Sequence, residues 1–129
     1  GSRNVFELHG SISKNYCMDC GKLYSLSEFM NIETLVPLCN CGGIIKPDVV
    51  LYEEELDYDV INGAVKLLKN ADVLIVGGTS LVVNPAASLI NYFNGSCIAL
   101  INMTPTPYDS RADIVIREKI GKTFLEIYK

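Results

Sequence analysis

Two apolar tetrads and one apolar triplet punctuate the second half of the chain: Val73-Leu74-Ile75-Val76, Ile98-Ala99-Leu100-Ile101 and Ile114-Val115-Ile116. Short continuous apolar runs of this kind predict buried strands, and a run closed by Gly77-Gly78 is typical of a parallel strand covered on both faces. Between them the period changes. Val60, Ile61, Ala64, Val65 and Leu68 recur at helical spacing over residues 57–69. Asp57 and Asp59 stand near the start of that stretch and Lys66 and Lys69 near its end, the charge order that suits a helix dipole. Pro85 is placed as the first residue of a helix running to about Tyr92, with Asn84 as its N-cap. A short helix closes the chain from about Lys122. Strand and helix in alternation predict an α/β layer with a parallel sheet.

The first half reads differently. Val5, Phe6 and Leu8 predict a short strand that ends at His9, with His9-Gly10-Ser11 as the turn. Residues 13–48 are irregular, apart from Ser25-Leu26-Ser27-Glu28, which fits a capping box and predicts a short helix. Val49-Val50-Leu51-Tyr52 predicts another strand, and Glu53-Glu54-Glu55 an acidic turn.

Composition narrows the function classes. The 129 residues are 49% hydrophobic, enough for a buried core. The net charge of −4 gives no electrostatic reason to expect nucleic acid. No apolar run reaches the roughly 18–20 residues that span a bilayer, and no secretory signal is visible, so no membrane partner is expected and the compartment expected is the cytoplasm. Of five cysteines, four fall in two close pairs. In a chain with no export signal that pattern points to metal before disulfides.

The spacing is C-x2-C, then eighteen residues, then C-x-C: Cys17, Cys20, Cys39 and Cys41. Each pair can place two thiolates on one ion, and the segment between them returns the chain to complete a tetrahedron. All-sulfur ligation favours zinc over magnesium or calcium. Four protein ligands leave no position for water, so the expected zinc is structural. An iron–sulfur site, or four reduced thiols without metal, are the alternatives. Gly42 and Gly43 fit the tight turn of a zinc knuckle, and Cys97 reads as a core thiol.

Ligands of open α/β sheets bind beyond the carboxyl ends of the strands. Gly77-Gly78-Thr79-Ser80 lies at one such end, where glycine admits a close approach and hydroxyls can bond phosphate or ribose. An ordinary turn is the competing reading. Asn102 ends the next strand and is either a crevice residue or a cap. His9, the one histidine, is either structural or poised at a cleft.

Taken in order, Glu7-Leu8-His9-Gly10-Ser11, the two cysteine pairs, Lys46-Pro47-Asp48-Val49-Val50, Gly78-Thr79-Ser80-Leu81 with Val83 and Pro85, and Ile101-Asn102 closely resemble the sirtuin family, NAD-dependent protein-lysine deacylases. The resemblance spans nearly the whole chain. It implies a partial Rossmann-like parallel sheet with an inserted small zinc-binding module, divided as residues 1–12 (catalytic-histidine strand and loop), 13–48 (zinc module) and 49–129 (second half of the NAD-binding domain). It implies that His9 is the general base that takes a proton from a hydroxyl of the nicotinamide ribose. The acyl-lysine oxygen then attacks as nicotinamide leaves, giving lysine, nicotinamide and an O-acyl-ADP-ribose. Gly78, Thr79, Ser80 and Asn102 match NAD-binding positions, Asn102 at the adenosine ribose, and Ile120 matches the position beside the adenine. Val49, Val50, Leu51, Tyr52 and Glu53 on one side, and Leu81, Val82 and Val83 on the other, match the segments between which an acyl-lysine peptide adds as a strand.

Two departures stand out. The family commonly has Gly where this chain has Glu53. The family's glycine-rich first NAD-binding segment and its Gln-Asn-x-Asp motif do not occur here. The expectation is therefore a zinc module plus half of a Rossmann sheet, inactive alone, whose partners are an acyl-lysine protein or peptide and the N-terminal half of the same enzyme, with self-association through an apolar sheet edge. Mono-ADP-ribosyl transfer and a non-catalytic, zinc-stabilised peptide-binding module are the competing functions.

Overall fold

The computed structural model describes residues 2–128. The first and last residues of the chain, which open and close the ranges expected above, lie outside them. The chain divides into two compact units, Gly1–Val60 and Ile61–Lys129.

The first unit is an antiparallel sheet in the order β2-β1-β3, formed by β1 (Gly10–Cys17), β2 (Leu23–Ser25) and β3 (Ile45–Val49), with the helix α1 (Leu26–Met30) after β2. The capping box is present at α1: Ser25 Oγ accepts from the Glu28 N–H at 3.2 Å, and Glu28 Oε2 accepts from the Ser25 N–H at 2.7 Å. The strand expected before His9 is not there. β1 begins after it, at Gly10, and residues 5–9 form a loop and turn. The Gly10 N–H donates back to the Glu7 carbonyl at 2.8 Å, closing that turn, and among the described residues no strand pairs with Val5 and Phe6. Gly10 has φ +74°, and a Cβ on it would stand 1.8 Å from the Asp48 carbonyl oxygen. Only glycine lets β1 and β3 approach so closely here.

The strand expected at Val49–Tyr52 is likewise displaced. β3 covers Ile45–Val49, and Val50, Leu51, Tyr52 and Glu53 follow as loop and turn. β3 is an edge strand, as β2 is, which is why it tolerates Pro47. Opposite Pro47 the register of β1 shifts between Ser11 and Asn15. Asn15 is fully buried there, and its Nδ2 donates to the carbonyls of Ile12 and Tyr24 at 3.3 and 3.4 Å, which fastens the irregularity.

The second unit is a parallel sheet in the order β4-β5-β6, from β4 (Val73–Gly77), β5 (Cys97–Ile101) and β6 (Ile114–Ile116). The helix α2 (Tyr58–Asn70) precedes it and α3 (Ile120–Ile127) follows. Asp57 caps α2, its Oδ1 accepting from the N–H groups of Asp59 and Val60 at 2.8 and 3.2 Å. The core holds Leu81, Ala87, Ile90, Phe93, Ile98 and Leu100.

Two expectations are corrected here. β4 is not covered on both faces among the described residues: Val73 and Ile75 are each about half exposed. Pro85 does not open an α-helix, and Asn84 makes no cap. A 3-10 segment runs over Ala87–Tyr92 instead, with Ala86 at its cap. The turn before it is closed by the Ala87 N–H on the Val83 carbonyl at 2.9 Å, and the Ser88 hydroxyl takes the Pro85 carbonyl at 2.7 Å, so the first carbonyls are spent on tight local bonds.

Candidate functional site

Cys17 ends β1, Cys20 follows in the turn, and Cys39 and Cys41 stand in the loop before β3. Each pair folds as a knuckle. The Cys17 carbonyl accepts from the Gly21 N–H at 2.9 Å and the Cys39 carbonyl from the Gly42 N–H at 2.8 Å, with Gly21 and Gly42 at positive φ. The four sulfurs lie within 4.8 Å of one another. Cys17 and Cys41 are 3.5 Å apart and Cys20 and Cys39 3.7 Å. A tetrahedron with Zn–S bonds of about 2.3 Å has edges of about 3.8 Å, so the cluster fits a zinc ion. Cys17 and Cys39 are buried, whereas Cys20 and Cys41 face outward.

The thiols are unequal. Cys39 is held down to about 6, first by the Cys41 N–H and then by the Tyr24 hydroxyl. Cys41 is pushed up to about 12; the Gly43 N–H favours its thiolate, but Cys39, Cys17, Cys20 and burial outweigh that.

His9 lies exposed in the turn that leads into β1. Its carbonyl accepts the Val50 N–H at 3.0 Å, which ties the histidine turn to the first residue after β3. The loop that follows is clasped. Lys46 Nζ donates to the Val49 carbonyl at 3.1 Å and to both Glu54 carboxylate oxygens at 2.9 Å, and Glu54 Oε2 accepts from the Leu51 N–H at 2.9 Å. The Lys46 bond is the main cause that holds the Glu54 carboxyl below its ordinary range. Tyr52 is almost wholly exposed, and Glu53 has φ +71°. That left-handed backbone is the physical reason a glycine suits this position.

In the second unit the carboxyl ends of β4 and β5 open on a cavity of about 280 Å³ lined by Gly78, Ile101, Asn102, Met103, Glu118, Lys119 and Ile120. Gly77 brings the far wall in: a Cβ there would come within 2.2 Å of Ile120 Cδ1. Asn102 Nδ2 donates to the Thr104 carbonyl at 3.0 Å, and the Asn102 N–H to the Ile116 carbonyl at 3.0 Å. Arg117 donates to the carbonyls of Asn102 and Thr104 at 3.4 and 3.3 Å and pairs with Asp109.

Of the expected nucleotide residues, Gly78, Asn102 and Ile120 meet in this cavity. Thr79 lines a different, largely apolar cavity with Leu74, Val76, Leu81 and Ile90, and its Oγ1 accepts the Leu81 N–H at 3.2 Å. Ser80, Val82 and Val83 are exposed, and Leu81 is buried. Met103, Glu118, Lys119 and Arg117 escape sequence reasoning. They sit in loops whose composition carries no signal, and only the strand ends place them.

The Sir2 family model matches residues 1–85. The chain is 59% identical over 122 residues to the NAD-dependent protein deacetylase of Clostridium tetani, covering 94% of this chain and 49% of that protein. It is 60% identical over 123 residues to the protein of the same name from Clostridium acetobutylicum, covering 95% and 50%. The chain thus spans about half the length of these curated relatives. A solved structure described as Sir2 with p53 peptide and NAD+ superposes with a TM-score of 0.90 at 33% identity, over 98% of this chain and 55% of that one. With the family model matching residues 1–85, well over half of the sequence, the chain belongs to the Sir2 family.

Proposed function

We propose that this chain supplies the zinc module, the catalytic histidine and part of the nucleotide pocket of an NAD-dependent protein-lysine deacylase. The observation that carries the reading is the crevice, where Gly78, Asn102 and Ile120 converge at the carboxyl ends of parallel strands. Its volume lies just below the range of ligand pockets, about 300–1,000 Å³, as suits one nucleoside of a dinucleotide. Glycine admits the ligand, the Asn102 amide serves a ribose hydroxyl, and Ile120 offers an apolar face to a base.

His9 is the general base in this reading. It is exposed, and an imidazole nitrogen can accept a proton from a ribose hydroxyl. Residues 1–12 then carry the base, residues 13–48 the zinc clamp and residues 49–129 the second half of the nucleotide-binding sheet. Zinc has no catalytic part, because four cysteines fill its coordination. The acyl-lysine substrate pairs with Val49–Glu53 and Leu81–Val83, and a further half of the enzyme completes the diphosphate and nicotinamide sites. Thiolate zinc ligation suits a reducing compartment, so the cytoplasm is the proposed location.

Two substitutions in the complete enzyme test this. His9→Ala should abolish turnover of an acetyl-lysine peptide with zinc content and NAD binding intact, and retained turnover removes His9 from the mechanism. Asn102→Ala should weaken NAD binding about tenfold, the loss of one or two hydrogen bonds; an unchanged NAD affinity sinks the crevice reading.

A further inference from the structure

A zinc ion held by four thiolates keeps two units of excess negative charge. That charge must be stabilised by donors around the sulfurs, and where a sulfur is buried, water cannot serve. Cys39 is 6% exposed. Tyr24, in the middle of β2, directs its hydroxyl at this sulfur from fifteen residues away, Oη to Sγ 3.1 Å. The ring is half-buried against Cys17, Cys39 and Ile45, so its hydroxyl needs an internal partner. The Lys22 ammonium lies 4.9 Å from the ring centroid, over its face, adding positive charge on the same side of the molecule. A zinc-bound thiolate only accepts, so the tyrosine is the donor in this bond.

We propose that Tyr24 is an outer-sphere ligand of the metal centre: its hydroxyl, donating to the Cys39 sulfur, holds that thiolate on the ion and slows zinc loss. The proposal rests on the zinc reading of the four cysteines. Partners of this kind commonly set metal affinity by 10–100-fold. Tyr24 acts through Cys39 and touches neither substrate nor metal. Its hydroxyl also ties β2 to the second knuckle, so a positioning role must be separated from simple packing.

Tyr24→Phe keeps the ring and removes the hydroxyl. Zinc transfer from the loaded protein to a colorimetric chelator should become about tenfold faster. In the cobalt(II)-substituted protein the thiolate-to-metal charge-transfer band should move to lower energy, because an unbonded sulfur gives up its electrons more easily. The ligand-field bands should stay tetrahedral, reporting an intact fold. Unchanged release and an unmoved charge-transfer band would overturn the proposal. Faster release with an unmoved band would also overturn it, since that is what lost packing alone predicts. Should Y24F fail to load metal, wild type substituted with a magnetically active cadmium isotope decides: the Tyr24 hydroxyl proton should couple to the metal through the sulfur, and a hydroxyl resonance without that coupling rejects the bond. Wild type with no zinc would instead refute the zinc reading itself, a distinguishable failure.

Discussion

The two units of this chain are held together by different means. In the first, the buried core among the described residues amounts to Cys17, Cys39 and Ile45, and two of those three belong to the four-cysteine cluster. In the second, Leu81, Ala87, Leu100, Ile90, Phe93 and Ile98 form the core with no thiolate cluster. About sixty residues of mostly polar strand and loop cannot bury enough apolar surface to fold firmly. A zinc ion closed in by four cysteines would replace the missing core, because its binding free energy is folding free energy. The second unit has an apolar core of its own, in which Ala87, Ile90 and Phe93 of the 3-10 segment and its end pack against Leu100 and Ile98 of β5. In the proposed reading a zinc ion in the four-cysteine cluster therefore belongs to architecture, and it leaves the chemistry to groups outside it.

The sharpest break of this comparison is Cys17→Ala. A structural zinc contributes about 10–16 kcal/mol of binding free energy, and three remaining thiolates cannot close the tetrahedron. The protein should lose zinc, and amide exchange should become fast throughout β1–β3 while β4–β6 stay protected. Uniform exchange in both units would show that they are not separately stabilised. The converse change is Leu100→Ala. Leu100 lies in the central strand of the parallel sheet and is 1% exposed. The loss should be about 2–5 kcal/mol, read as a lowered denaturation midpoint of the second unit, with zinc stoichiometry unaltered.

The same division explains what the sequence makes legible. The zinc ligands are visible because two thiols per knuckle impose a short fixed spacing. β4, β5 and β6 are visible because continuous apolar runs have few other uses, and α1 because a capping box is a local hydrogen-bond device. β1 is not, since Gly10–Cys17 is largely polar and owes its strand to pairing on both sides rather than to burial. β3 hides behind Pro47, which an edge position tolerates. The crevice is half legible: Gly78 and Asn102 follow recognisable strands, whereas Met103, Glu118 and Lys119 reach it only through the parallel register.

Acid should sharpen the comparison in a smaller way, through one ionic clasp chosen from each unit, Lys46–Glu54 in the first and Arg117–Asp109 in the second. Glu54 is lowered chiefly by Lys46. Asp109 is lowered chiefly by the Thr106 hydroxyl, with Arg117 helping. A carboxyl whose folded pKa is depressed contributes stability above its unfolded value, about 3.9 for Asp and 4.3 for Glu, and that stability is lost as pH falls through the folded value. Both clasps should hold at neutral pH and release below those values. In an NMR titration the Leu51 amide should move with the Glu54 carboxyl, and the Thr106 amide with that of Asp109. A Leu51 amide that titrates at an ordinary glutamate pKa would show that the loop after β3 is not clasped.

The smallest expected effect separates two residues with the same backbone. Glu53 and Leu81 both have positive φ, +71° and +53°, a conformation that costs a non-glycine residue about 1–3 kcal/mol. Glu53 projects into solvent, whereas Leu81 is 8% exposed and packs with Ala87 and Leu100. At Leu81 the strain is offset by a buried side chain, so glycine there would destabilise the second unit. At Glu53 nothing comparable is lost. Glu53→Gly removes the strain but adds about 0.5–1 kcal/mol of unfolded-chain entropy. The net gain in the first unit should lie between about 0 and 2.5 kcal/mol, seen as an upward shift of its zinc-loaded melting temperature. A marked loss of stability would mean that the Glu53 side chain holds the turn through a contact of its own, and that the departure from glycine at this position is compensated.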